Sequence, residues 1–132
     1  MTFNDIEEAV GQRLEGMANV PAIAWPNRAF KPDSTAYLEF RHSPGDRVDP
    51  VLAGGDPRQT GIFLITVVAP PGKFSGAANT LAQAVADRFP KGLRLTAGSG
   101  KVVINAPSSL ATPFQGGGYW RQPVRVFYIT ET

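Results

Sequence analysis

The chain has 132 residues and a formal net charge of +2, with 42% hydrophobic and 18% charged residues. This length supports one domain with a real core, which we expect to span residues 1–132, and the low charged fraction favours an oligomer over an isolated monomer. The lack of cysteine excludes disulfides and thiol chemistry, and the weak positive charge, which no Lys/Arg cluster concentrates, does not favour a dedicated nucleic-acid-binding protein.

The first half of the chain predicts one helix and two strands. Apolar residues recur at helical spacing over residues 2–18, and alternation predicts strands at 35–41 and, most strongly, at 60–69. The stretch 43–58 between these strands is rich in Gly and Pro and is typical of a long loop.

A rigid apolar segment at residues 23–32 joins the first helix to the first strand. It contains Trp25, Phe30 and two prolines, but no nucleophile and no metal ligand. The prolines prevent the helix from continuing and favour an extended path into the strand, and we expect Trp25 to pack beneath this turn. The segment therefore predicts packing or docking rather than catalysis.

The second half of the chain adds a helix and further strands. Residues 75–89 carry an apolar stripe at helical spacing, and strands are predicted at 93–95, 101–105 and 124–130. Residues 107–122 form a second long Gly/Pro-rich loop. The order α-β-β-α-β-β predicts an α+β fold, with a four- to five-stranded, mostly antiparallel sheet, two helices and two long loops.

The strands at 60–69 and 124–130 are apolar on both faces, whereas a strand with one solvated face alternates between apolar and polar residues. If both helices pack on one face of the sheet, the opposite face stays exposed and marks a subunit interface. The residues predicted to lie on that free face are Phe63, Ile65, Val67, Phe127 and Ile129. The alternative is that the helices flank the sheet on opposite sides and bury both faces.

The two loops offer a second set of candidate contacts. Aromatic residues are enriched at interface hot spots, so Phe114, Tyr119 and Trp120 are candidate anchors. The alternative for Trp120 is that it begins the last strand and belongs to the core. Arg47 and Arg58 are among the arginines in or beside the loops. If the loops lie together, these arginines form a modest basic patch that faces DNA or acidic residues of a partner. The alternative is that they are solvated surface residues.

No residue pattern predicts catalysis. His42 is the only histidine, and a lone histidine at a strand end is typical of a surface or capping residue. With one histidine and no cysteine, neither a typical zinc site nor a Ser-His-Asp triad is supported. We therefore predict no catalytic residue, no metal site, no cofactor and no enzymatic activity. The longest apolar run, residues 62–68, is far too short to span a bilayer, so no membrane partner is expected.

Several segments along the chain form an ordered series. After a short N-terminal helix come Ile23-Ala24-Trp25-Pro26-Asn27, the strand 36–41, the strand that begins Gly61-Ile62-Phe63, the helix that ends Ala86-Asp87-Arg88-Phe89-Pro90, and Val124-Arg125-Val126-Phe127-Tyr128. In this order and at this length, the chain resembles the tail terminator proteins of long-tailed bacteriophages and related gene transfer agents.

The resemblance implies a structural virion protein that assembles as a homo-oligomer, a hexameric ring. Such a ring caps the tail tube, stops its polymerisation and joins the tail to the head connector. The implied partners are the tail tube protein and the head-tail connector protein, with DNA passing through the lumen without sequence preference. The implied location is the head-tail junction of the virion, after assembly in the cytoplasm of the bacterial host.

Two alternatives remain open from the sequence. The first is another head-tail connector or minor tail component of the virion. The second, of a different class, is a small ligand-binding or enzymatic α+β domain. A sixfold ring distinguishes the leading prediction from a stable monomer with a deep polar pocket.

Overall fold

The computed structural model describes residues 1–26, 28–31, 35–48, 58–70 and 75–131. Within these residues the chain forms two helices and one eight-stranded sheet. The helices are α1 (Phe3–Glu15) and α2 (Ser75–Arg88). The strands are β1 (Ile23–Ala24), β2 (Tyr37–Val48), β3 (Arg58–Ala69), β4 (Arg94–Ala97), β5 (Gly100–Ile104), β6 (Ser109–Leu110), β7 (Phe114–Gly116) and β8 (Tyr119–Glu131).

Helix α1 begins with a capping box that the sequence sets up at its first turn. The Thr2 hydroxyl accepts a hydrogen bond from the Asp5 amide at 3.1 Å, and the Asp5 carboxylate accepts one from the Thr2 amide at 2.9 Å. These bonds pair backbone N–H groups that have no partner inside the helix. The same backbone and side-chain bonds to Thr2 lower the pKa of Asp5. The predicted helices at 2–18 and 75–89 are confirmed, with slightly shorter bounds.

The sheet has more strands than the sequence predicts. The main order is β1-β2-β3-β8-β5-β4, while β6 and β7 pair with β8 along the same side as β5. All pairs are antiparallel except β1 with β2. The predicted α+β class with two helices is correct, but a four- to five-stranded sheet in the order α-β-β-α-β-β is not.

Both predicted loops begin or end as strands. Strand β2 continues to Val48, through a β-bulge between Pro44 and Arg47, so the first six residues of the predicted loop at 43–58 are extended, and β3 starts at Arg58. Residues 49–57 lie outside the described residues. The second predicted loop, 107–122, contains β6, β7 and the start of β8. The loop prediction is wrong there because β6 pairs with Val124 and Arg125 of β8, and β7 forms a hairpin with the start of β8.

Both helices pack on one face of the sheet, which we call the inner face; the opposite face is the outer face. The inner face carries Leu38 of β2, Phe63 of β3 and Val124 of β8, which lie in one core with the apolar stripes of α1 and α2. Helix α1 contacts strands near both ends of the main strand order. Glu7 of α1 contacts His42 of β2, and Asp5 of α1 lies next to Gly98 in the β4–β5 turn, so the sheet curls around the helix. Within the described residues, neither helix is long and apolar enough to cross a membrane.

Candidate functional site

An apolar patch lies on the outer face, on the central strands β3 and β8 and the neighbouring β5. Ile62 pairs with Phe127, and Ile129 pairs with Val103. Leu64 lies next along β3 on the same face. All of these side chains are only half-buried, although their strands are not at the edge of the sheet. Because neither helix lies on this face, the patch, named here the outer patch, is accessible to a partner.

Phe63, Ile65 and Val67 do not belong to the outer patch. All are 0% exposed on the inner face and form part of the core. The expectation that places them on a free face with Phe127 and Ile129 is wrong, because the register pairs Phe63 with Val126 rather than with Phe127. Alternation along a strand determines which residues share a face, but not which face the helices cover. A fully buried side chain offers no surface to a partner.

Basic side chains border the outer patch. Arg125 and Lys101 are exposed on the outer face, and neither has a carboxylate partner within the described part of the chain. The Lys101 ammonium donates to the Thr96 hydroxyl at 2.8 Å. Arg41 is 71% exposed and lies 3.6 Å from the Glu39 carboxylate, a distance at which an exposed ion pair contributes little. The outer patch therefore has a rim of positive charge.

Aromatic rings close the other end of the outer face. The Tyr37 ring lies 4.7 Å from that of Phe30 and 6.3 Å from that of Tyr119, between centroids. Arg121 forms an ion pair with Glu39 beside them. Burial, followed by the Glu39 charge, raises the pKa of Tyr37. Tyr119, a predicted anchor, is thus half-buried in an internal cluster.

The other two predicted anchors differ in exposure. Trp120 packs against the core, as the alternative that assigns it to the last strand predicts, and no described residue accepts a hydrogen bond from its buried indole N–H. Phe114 on β7 is 49% exposed. Gly117 and Gly118, with φ of +62° and +80°, form the β7–β8 turn, a backbone conformation that favours glycine. Among the predicted anchors, Phe114 is the one most open to a partner.

Arg47 and Arg58 are both exposed and lie close together at the far end of the β2–β3 hairpin, where Arg47 pairs with Gln59 and Val48 pairs with Arg58. The Arg47 guanidinium sits 4.7 Å above the centroid of the Phe3 ring, a cation–π contact. Other arginines near the predicted loops lie elsewhere, since Arg121 is beside the opposite end of β3. The structure therefore groups Arg47 with Arg58 but does not bring all the loop arginines into one patch.

His42 lies within β2, and its side chain is only 3% exposed. Its Nδ1 is 3.0 Å from a Glu7 carboxylate oxygen and its Nε2 is 2.6 Å from the Tyr128 hydroxyl. The ring stacks on Phe63 with centroids 4.3 Å apart. The sequence-based view of His42 as a surface or capping residue is wrong, because its partners are 35 and 86 positions away in the chain.

The protonation of this cluster follows from its geometry. Burial, with a smaller contribution from Glu7, raises the pKa of Tyr128 to about 12. The phenol therefore keeps its proton, and because a carboxylate only accepts hydrogen bonds, Nδ1 of His42 carries the hydrogen that is donated to Glu7. The cluster ties α1 to β2 and β8, and the neighbouring rings of Phe3 and Phe63 are apolar. This is the arrangement of an internal brace.

A second surface, named here the α1 groove, lies beside helix α1 and the Trp25 segment. Its volume is about 290 Å³, and the lining residues are Asn4, Glu7, Glu8, Gly11, Gln12, Glu15, Trp25, Pro26, Arg28 and Phe40. A wider depression of about 580 Å³ continues from it towards Phe30 and Tyr37. Trp25 packs edge-on against Phe40, with ring centroids 5.2 Å apart. The groove combines an aromatic floor with an acidic wall.

The described residues hold no group of histidine and carboxylate side chains that could bind a metal ion. The predictions of no metal site and no cofactor remain predictions.

Comparisons with known proteins point to one family. A family model described as phage tail terminator protein matches residues 5–128. A solved protein that bears no functional name aligns with 26% identity over 100% of this chain and 97% of its own length, with a TM-score of 0.81. A chain from the virion of a native gene transfer agent particle shares the fold, at 19% identity and a TM-score of 0.67, over 95% of this chain and 92% of its own. No curated protein matches.

Proposed function

Since the chain belongs to the family of phage tail terminator proteins, we propose that it forms a ring that caps the tail tube, ends polymerisation of the tube and joins the tail to the head connector. Membership of the family makes the chain a structural protein of the phage tail, as its sequence resemblance predicts. In the proposal the ring has six copies and lies at the head-tail junction of the virion.

The outer patch is the observation that carries this proposal. Ile62, Leu64, Phe127 and Ile129 are half-buried on central strands, although the core of the chain is formed on the other face. An isolated monomer gains nothing from a contiguous apolar surface there, whereas a ring subunit buries it against its neighbour. The basic rim, with Arg125 and Lys101, orients the neighbouring subunit in that contact.

The face of the sheet is a better contact surface than its edge. Along the edge that faces away from β3, strand β2 pairs briefly with β1 and has no other strand partner within the described residues. Pro44 has no backbone N–H, and the bulge between Pro44 and Arg47 disrupts the regular spacing of hydrogen-bonding groups. The edge is therefore a poor template for an added strand, and the proposed subunit contact uses the face.

Leu110 and Phe114 provide a separate contact in the proposal. They lie on β6 and β7, are 37% and 49% exposed, and flank the side of β8 that faces away from β3. Placed against the last ring of the tail tube, these side chains occupy the surface on which a further tube subunit would add. The opposite side of the ring then remains free for the connector.

The proposed passage for DNA needs positive charge but no sequence-reading groups. Arg47 and Arg58 are exposed together at the end of the β2–β3 hairpin. Facing the lumen, they attract the phosphate backbone without discriminating between bases. This contact predicts retention of DNA that falls steeply as salt is raised.

Growth of the tail tube tests the proposal. Purified tail tube protein is polymerised with and without the chain, and tube lengths are measured by electron microscopy. The wild-type chain is expected to shorten the length distribution, and Phe127→Glu is expected to lose this effect because a carboxylate enters the outer patch. Ala84→Glu is the matched control, since Ala84 is exposed on α2, away from the outer patch.

The outcomes separate the competing functions. Arrest by the wild type and by Ala84→Glu, but not by Phe127→Glu, supports the proposal. Tubes that grow to full length while the chain binds a connector would instead identify another head-tail connector component. Equal arrest by wild type and Phe127→Glu would show that the outer patch takes no part.

A further inference from the structure

We propose that neighbouring subunits of the ring meet head to tail, with the outer patch of one subunit seated on the α1 groove of the next. The inference rests on the proposed ring and adds the pair of surfaces that builds it. The partner of each surface is thus a second copy of this chain, and the two surfaces differ in both shape and charge.

The α1 groove carries an excess of negative charge. Asn4, Glu8, Gly11 and Glu15 recur at helical spacing along the side of α1 that lines it. Glu8 and Glu15 are exposed and have no cationic partner within the described ranges. Arg13, the only basic residue of α1, is turned away, because its Nε donates to the Arg88 carbonyl at 3.0 Å.

The floor of the groove is apolar. Trp25 lies so close to α1 that a Cβ at Gly11 would be 3.2 Å from its ring, and it also packs edge-on against Phe40. Arg28 is the one cation among the described residues that line the groove. An apolar floor with glutamates at its side complements an apolar patch with Arg125 and Lys101 at its rim.

The two surfaces face away from each other. Helix α1 lies on the inner side of the curled sheet, where Glu7 contacts His42 of β2 and Asp5 lies next to Gly98 beyond β4. The outer patch lies on the opposite face, centred on β3 and β8 in the middle of the strand order. Two complementary surfaces on opposite sides of one chain produce a heterologous contact, which repeats and closes into a ring when its rotation divides a full turn.

A charge swap tests the contact. Arg125→Glu and Glu15→Arg each place like charges across the proposed interface, and we expect each to weaken self-association by about tenfold or more in sedimentation measurements. The double variant Arg125→Glu/Glu15→Arg restores complementarity, as does an equimolar mixture of the two single variants, which alternate around an even-membered ring. Lys91→Glu and Asp87→Arg are matched controls, since both residues are exposed outside the two surfaces.

Cross-linking gives an independent measurement that does not depend on weakening the contact. The chain has no cysteine, so a single cysteine can be introduced at any chosen position. Phe127→Cys mixed with Glu8→Cys is expected to give mixed dimers with a short bismaleimide, whereas neither variant alone should cross-link with itself. The double variant should give a ladder of products that ends at the ring number. Circular dichroism of each variant verifies that the fold is retained.

The results distinguish this interface from the ring itself. Wild-type rings that are unaffected by either charge reversal and give no mixed cross-links would overturn the interface while leaving the proposed ring intact. Self-cross-linking of Phe127→Cys alone would show two outer patches facing each other, which also overturns it. A wild-type chain that remains monomeric both alone and with tail tubes would contradict the ring and the interface together.

Discussion

Alanine substitutions at Phe63 and Phe127 test which face of the sheet is core. Phe63 is 0% exposed, stacks on His42 with centroids 4.3 Å apart, and lies 5.2 Å and 5.3 Å from the rings of Phe40 and Tyr128. Removing a buried phenylalanine of this kind costs about 3–5 kcal/mol of unfolding free energy. Phe127 is half-buried, and full burial of such a side chain contributes about 1.5–3 kcal/mol, so its loss costs about 1 kcal/mol.

Urea unfolding followed by circular dichroism measures both losses. The protein concentration is kept low enough for the monomer to predominate, because association stabilises the folded state and would add to the apparent loss at an interface residue. If Phe63→Ala fails to fold, Phe63→Leu preserves the comparison with a smaller cavity. Equal losses at the two positions, or a larger loss at Phe127, would refute the assignment of the inner face as core.

Other predictions concern the packing and ionisation of single residues. Gly61→Ala would bring a Cβ to 2.6 Å from the Tyr128 hydroxyl, so we expect urea unfolding to show a loss of about 1–3 kcal/mol in the free energy of unfolding. Gly76→Ala on α2 is the control, since the added Cβ would have nothing within 4 Å, and we expect its free energy of unfolding to be unchanged or raised by up to about 1 kcal/mol. Similar effects at the two sites would contradict the close contact at Gly61. Because the folded-state pKa of Tyr128 is about 12 and the ordinary value is 10.0, the contribution of its protonated phenol is fully present below pH 10 and is lost as pH rises from 10 to 12. Thermal unfolding across this range should show the loss in the wild type and a smaller loss in Tyr128→Phe, and identical profiles would exclude Tyr128 as the source. Thr2→Ala removes the capping box and should cost about 1 kcal/mol, while Thr2→Ser retains the hydroxyl and most of the stability; equal denaturation midpoints would show that the cap contributes nothing.

Local patterns predict the regular elements of this chain well. The apolar stripe from Ile6 to Leu14 is buried as a helical period requires, and the β3 strand at 60–69 is found with nearly the predicted bounds. These elements follow from the spacing of neighbouring residues, which the sequence displays directly. Trp25, expected beneath the turn that follows α1, packs against Gly11 and Phe40.

The strands that the sequence misses are held by pairing with other strands, which local periodicity does not reveal. Pro44 and Gly45 are typical of a turn, yet they lie at a bulge in β2 because β3 supplies the pairing partners. Gly116 likewise suggests a loop, but it pairs with Tyr119 in a tight hairpin. Pairing with another strand overrides the local preference of Gly and Pro, and no local period reports it.

The candidate site is predicted only in part, for a related reason. Phe127 and Ile129 lie on the outer face, and their role as contact residues stays a prediction, whereas Phe63, Ile65 and Val67 are core, since the strand pattern does not reveal which face receives the helices. The acidic side of α1 is visible in the sequence, where Glu8 and Glu15 fall at helical spacing and Arg13 does not. Its position opposite the outer patch depends on the curl of the sheet, which only the three-dimensional structure provides.

Imaging of tail tubes tests the central claim most directly. Tubes are grown from tail tube protein in the presence of a chain labelled at a single introduced cysteine, and the labelled chain is located by electron microscopy with averaging of the tube ends. The proposed function predicts one labelled ring, with sixfold symmetry and a central opening, at a single end of each tube and no label along its length. Label distributed along the tube, or tube ends that carry no ring while the chain stays in solution, would contradict it.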